Sequence, residues 1–150
     1  MEIGNIVVAV DGSEASQDAL DYAVILARQS KSALTGIFVI DGGWPDFIGN
    51  DWQSAKGARQ GFLDHIRAEQ EQQAEAARLQ FETAAQGVDD SRFSILSGDP
   101  TETLISTANA NETGLFIVGQ RTFQISGRPS LRSLSKRLAA KATRPLMLFP

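Results

Sequence analysis

Short apolar runs alternate with longer amphipathic stretches along the whole chain. Residues 5–10, Asn-Ile-Val-Val-Ala-Val, are nearly continuous in apolar character, which predicts a strand covered on both faces, as central parallel strands are. Asp11 and Gly12 follow, and Ser13 is placed to cap a helix over 14–30, where Ser16, Leu20, Ala23 and Ala27 recur on one face. A second strand is predicted over 33–40. A long glycine-rich connection over 41–62 comes next and holds both tryptophans. A helix over 63–86 follows, with Ala74, Ala77, Phe81, Ala84 and Ala85 as its apolar side, then a third strand over 92–96.

Asp99 then precedes Pro100 and Glu102, close to a capping box, with proline at the first helical position. A structural role for Asp99 follows from that placement. A fourth strand over 115–119, a helix over 131–142 and a last strand over 144–149 complete the chain. Alternation of this kind predicts an α/β fold, a doubly wound five-stranded parallel sheet, because each parallel return needs a crossover long enough to hold a helix. At 150 residues, the expectation is one domain over 1–150.

Composition changes this picture little. Apolar residues make up 42% and charged residues 21%, ordinary values for a folded soluble chain. There is no cysteine, which excludes disulfides and thiolate chemistry. No apolar run is long enough to span a bilayer and no secretory leader is visible, so the expected location is cytoplasmic without membrane insertion. The net charge of -4 argues against nucleic acid as a partner. That charge is unevenly spread: Arg121, Arg128, Arg132, Lys136, Arg137, Lys141 and Arg144 lie in a carboxyl-terminal quarter without Asp or Glu. Arg137, Lys141 and Arg144 read as a solvated helix end, whereas Arg121, Arg128 and Arg132 sit in or beside a loop where an anion could meet them.

Open parallel sheets bind ligands at the carboxyl ends of strands where the winding reverses. Two strand ends carry unusual chemistry, the first with Asp11-Gly12-Ser13 and the fourth with Gly119 and the basic loop. A carboxylate such as Asp11 repels phosphate but accepts hydrogen bonds from ribose or an amino group. Backbone N–H groups after Gly119 and the following helix start would suit phosphate.

The stretches VAVDGSEAS, LSGDPTETLISTA and TGLFIVGQR, with Ser133 beyond, resemble the universal stress protein family in order and spacing over essentially the whole chain. The resemblance implies a flavodoxin-like or Rossmann-like sheet of order 3-2-1-4-5 and a homodimer. Nucleotide-binding members carry G-x-x-G-x9-G-[S/T] after the fourth strand. Carried over, the first glycine is Gly119 and the final serine Ser133, while the second and third glycines are replaced by Thr122 and Arg132. A β-branched Thr122 opposes a left-handed backbone, and Arg132 fills space a phosphate would need, so the loop is degenerate. Arg128 and Arg132 offer charge-assisted contacts instead, and Gly127 offers another place for the turn. If a nucleotide binds, the resemblance puts Asp11 and the backbone of Val39 at base and ribose, and Gly119, Arg121, Ser133 and Ser135 at the phosphates.

Other chemistry is sparse. His65, the sole histidine, falls on a Gln- and Glu-rich helix and reads as a surface residue; Asp89 and Asp90 read as solvated turn residues rather than a metal pair. Neither Ser13 nor Ser133 has a partner base, the SGGxDS loop of ATP pyrophosphatases is absent, and no catalytic set is visible. Trp44, Phe47, Ile48, Trp52 and Phe62 form either a satellite core or a lid or partner-binding patch. The expected function is therefore a non-enzymatic stress-response regulator, dimeric, with ATP binding reduced or absent and no cofactor. The alternative is an adenine-nucleotide sensor taking ATP or AMP, with magnesium and slow hydrolysis.

Overall fold

The structure, a computed structural model, describes residues 3–52, 57–123 and 133–150. In chain order these form β1 (Asn5–Ala9), α1 (Glu14–Ser30), β2 (Ala33–Asp41), α2 (Trp44–Ile48), α3 (Ala58–Ala84), β3 (Ser91–Gly98), α4 (Pro100–Ala108), β4 (Thr113–Gly119), α5 (Leu134–Lys141) and β5 (Leu146–Phe149). The five strands make one sheet in the order β3-β2-β1-β4-β5, as expected, and every neighbouring pair is parallel. The chain winds outward from β1 to β3, then returns across the sheet to β4. The winding therefore reverses at β1, which has β2 on one side and β4 on the other.

Hydrophobic burial explains the layers. Ile6 and Val8 of β1 are fully buried, as are Phe116 and Ile117 of β4, so the central strands are covered on both faces. Helices α1 and α3 pack together on one face, and α4 and α5 pack together on the other. In α1 the residues turned inward include Ser16, Leu20, Ala23 and Ala27, the stripe the sequence predicts. Asp99 caps α4 by accepting from the Glu102 N–H at 3.0 Å. At Gly36, in the middle of β2, an added Cβ would stand 2.3 Å from the Phe81 ring. Glycine there lets α3 lie close against the sheet.

Two elements differ from the sequence reading. Helix α3 begins five residues earlier than its apolar periodicity suggests, at Ala58, and the short helix α2 lies inside the 41–62 connection. Pro45 in the first turn of α2 suits a helix start. With 27 residues α3 is about 40 Å long, yet it buries only Ala74, Ala77 and Phe81. Gln70 already lies level with the last residue of β2, because its side chain bonds the N–H and carbonyl of Asp41. The first half of α3 thus runs past the strand ends and walls the space above them.

Candidate functional site

The β1 and β4 ends meet at the reversal point, and the chain's own groups bridge them. Asp11 is 3% exposed. One of its carboxylate oxygens accepts from the backbone N–H and hydroxyl of Ser13. The other accepts from the backbone N–H of Phe123 at 2.8 Å. Ser13 occupies the cap position of α1 with an extended backbone, but its hydroxyl turns back to Asp11 instead of capping the helix.

The Asp11–Phe123 contact depends on a tight turn. Beyond β4, the Thr122 N–H donates to the Gly119 carbonyl at 3.1 Å, closing four residues. A Cβ at Gly119 would come within 2.6 Å of the Ala15 carbonyl oxygen, so this glycine permits close approach of α1 to the end of β4. Thr122 is fully buried with its hydroxyl unpartnered and does not take a left-handed conformation. That conformation falls one residue later, on Phe123, with φ 68°. A left-handed non-glycine residue costs about 1–2 kcal/mol. A hydrogen bond to a carboxylate returns about 1.5–3 kcal/mol, and burying a phenyl ring a similar amount, so the closed arrangement is favoured.

The Phe123 ring, 5% exposed, lies 5.8 Å from the ring of Phe38 in β2. Phe38, Val39, Trp44, Ile66, Gln70 and Phe123 are among the residues around a cavity of only about 50 Å³. An apolar cavity of about 150 Å³ accepts benzene, so this one is too small for a purine. Val39, expected at a base, is therefore beside a space that Phe123 fills. Nothing in the hydrophobic pattern distinguishes Phe123, an aromatic residue one position past the replaced second glycine.

Helix α3 adds a second brace. The Gln80 amide oxygen accepts from the Gly12 N–H at 3.1 Å and the Ser16 hydroxyl at 2.9 Å. Its amide nitrogen donates to the Ser13 carbonyl at 2.9 Å and to Gln17 at 3.0 Å. The β1–α1 turn is thereby tied to α3. Gln70 and Gln80 carry no sequence signal, since both sit in a Gln-rich helix that also holds Gln60, Gln72 and Gln73.

The remaining expected site residues are spread along the rim. Arg121 and Ser133 are exposed, Ser133 at the start of α5, and Ser135 donates to the Gln120 carbonyl at 3.2 Å. Gly127, Arg128 and Arg132 lie outside the described residues. His65 is on the surface beside Glu69, 3.1 Å away, and Asp89 and Asp90 are exposed in a turn. Arg137 meets Glu102, and Arg144 donates to the Thr113 carbonyl. Trp44 packs edge-on against Phe47 and Phe62, and Trp52 lies against Phe62, so the aromatic residues of the connection cluster with one another. Phe47 is nonetheless 52% exposed. Among the described residues no group of His, Asp or Glu is arranged to hold a metal, and no helix is long and apolar enough to cross a membrane.

Comparison with known proteins agrees with this architecture. No curated protein matches the chain by sequence. Among solved structures, the universal stress protein UspA from Lactobacillus plantarum is 22% identical, with a TM-score of 0.70 over 100% of this chain and 99% of that one. A universal stress protein in complex with cAMP is 22% identical, with a TM-score of 0.60 over 98% and 96%. The universal stress protein from Archaeoglobus fulgidus in complex with dAMP is 18% identical, with a TM-score of 0.62 over 100% of both chains. At such identities these likenesses establish the flavodoxin-like fold. The family model described as "Universal stress protein family" matches residues 2–150, and the chain belongs to that family.

Proposed function

We propose that this protein is a non-enzymatic stress-response regulator that acts as a homodimer through protein contacts, with adenine-nucleotide binding reduced or absent. The carrying observation is the closure of the β1–β4 crevice. Asp11, the residue suited to a ribose or amino group, accepts from Ser13 and Phe123, and the Phe123 ring leaves about 50 Å³ beside Val39. ATP would have to displace a buried ring and a charge-assisted hydrogen bond before its base could enter. Replacement of two motif glycines by Thr122 and Arg132 acts in the same direction. The dimer reading is supported by β5, an edge strand whose four apolar residues are all half-buried and which has, among the described residues, no strand on its outer side.

Similar folds solved with cAMP and dAMP favour a second reading, a nucleotide sensor in which Phe123 swings aside. Titration of the purified protein with ATP, AMP and cAMP, with and without magnesium, separates the two. Melting temperature should stay unchanged within about 1 °C at millimolar nucleotide, because stabilisation requires ligand well above its Kd. A shift of several degrees, or adenine nucleotide released when the purified protein is denatured, would establish the sensor. Sedimentation equilibrium tests the dimer, and a monomer at micromolar concentration would remove it.

A further inference from the structure

A second cavity lies across Trp44 from the first, between the end of β2 and the first half of α3. Its volume is about 400 Å³, and Ile40, Trp44, Pro45, Leu63 and Ile66 supply its apolar walls. Sites for small organic molecules begin at about 300 Å³, so this space can take one aromatic molecule whole. Among the described residues its charged lining is Asp41, Asp64 and Glu71 with the guanidinium of Arg67. Arg67 already pairs with Glu71 at 3.6 Å. Arg59, which precedes the lining residue Gln60, donates to the carbonyls of Gly49 and Pro45. Asp41 is 8% exposed and held in place, its carboxylate accepting from the Gly43 N–H at 2.8 Å. Asp64 stands exposed at the rim, accepting from Gln60 at 2.8 Å.

We propose that this cavity binds a small organic cation, an amine carried on a flat apolar body. The body would lie against Trp44, Leu63 and Ile66, and the ammonium group would face the carboxylate side. An aromatic face attracts a cation through its quadrupole, and a carboxylate adds a charge-assisted hydrogen bond. An anion of the same shape meets repulsion from the same groups, which also disfavours nucleotides here. The site is separate from the β1–β4 crevice and does not depend on whether that crevice binds nucleotide, although Asp41, Trp44, Ile66 and Gln70 border both cavities.

The test is a titration of the nucleotide-free protein with phenethylamine, 3-phenylpropanol and 3-phenylpropionate, three probes of one shape and different charge, followed by amide and indole chemical shifts. Phenethylamine should move the Trp44 indole and the Leu63 and Ile66 amides. It should bind roughly tenfold more tightly than the carboxylate, the value of one charge-assisted contact. Asp64→Asn, at an exposed position that should leave folding intact, should weaken the amine roughly threefold and leave the alcohol unchanged. Leu63→Trp should fill the cavity and remove the shifts. Equal binding of amine and carboxylate, no response to phenethylamine, or shifts that persist in Leu63→Trp would overturn the proposal.

Discussion

The space beside Phe123 and the cavity between β2 and α3 lie at the same end of one sheet, yet the first holds about 50 Å³ and the second about 400 Å³. At the first, Asp11 draws in the backbone of the following turn, and the ring of Phe123 comes with it. At the second, the Gln70 side chain bonds the N–H and carbonyl of Asp41, and the Trp44 ring stands at the wall without filling the space beyond. Strand-end geometry therefore leaves space beside the sheet in both places. Which one survives depends on whether the chain spends its polar partners through backbone, which brings a neighbouring side chain along, or through a side chain that arrives alone.

Substitutions can break this contrast at different levels. Phe81→Ala should have the largest effect, about 3–5 kcal/mol of lost stability in urea unfolding, because Phe81 fills the space above Gly36 and anchors the helix that walls both regions. Asp11→Ala should cost about 1–3 kcal/mol by leaving buried N–H donors unmatched. It should also abolish hydrogen-exchange protection at the Phe123 amide while leaving Gln70 and Asp41 as they are. Protection that persists at Phe123 would mean the seal does not depend on the carboxylate. Trp44→Ala acts on the wall that the two cavities share. Loss of its edge-on contacts with Phe47 and Phe62 should cost about 0.5–1.5 kcal/mol beyond the area uncovered, with the Phe123 N–H still held by Asp11. Arg137→Ala, which breaks an exposed pair with Glu102 remote from both, should cost less than about 1 kcal/mol.

Local signals in the sequence carried much of the fold. The helix over 14–30 has the bounds its periodicity predicts, Asp99 caps α4, and valine-rich β1 is central. The strand order came from the family resemblance, because periodicity says nothing about which strands are neighbours. Helix α3 starts earlier than expected because its first turns, Ala-Arg-Gln-Gly-Phe, contain a glycine and no continuous apolar stripe. The candidate site was only half legible. Asp11 and Gly119 stand out as strand-end residues. The partners that decide their state do not: Phe123 is 112 residues from Asp11 along the chain, and Gln80 is 68 residues from Gly12. Contacts of that separation leave no mark in a window of local pattern. Thr122 drew attention as a replaced glycine, but the turn places the left-handed residue at Phe123, where an aromatic side chain becomes the plug.

The central claim, that Phe123 closes the crevice, is tested most directly by comparing ATP and AMP binding of the native protein with that of Phe123→Gly by calorimetry. Glycine accepts φ near 68° without strain, keeps the N–H that Asp11 needs, and removes the ring. The account predicts no measurable binding for the native protein and a gain of at least roughly tenfold in affinity for the variant. Equal affinity in the two proteins, whether tight or absent, would show that the ring does not control access.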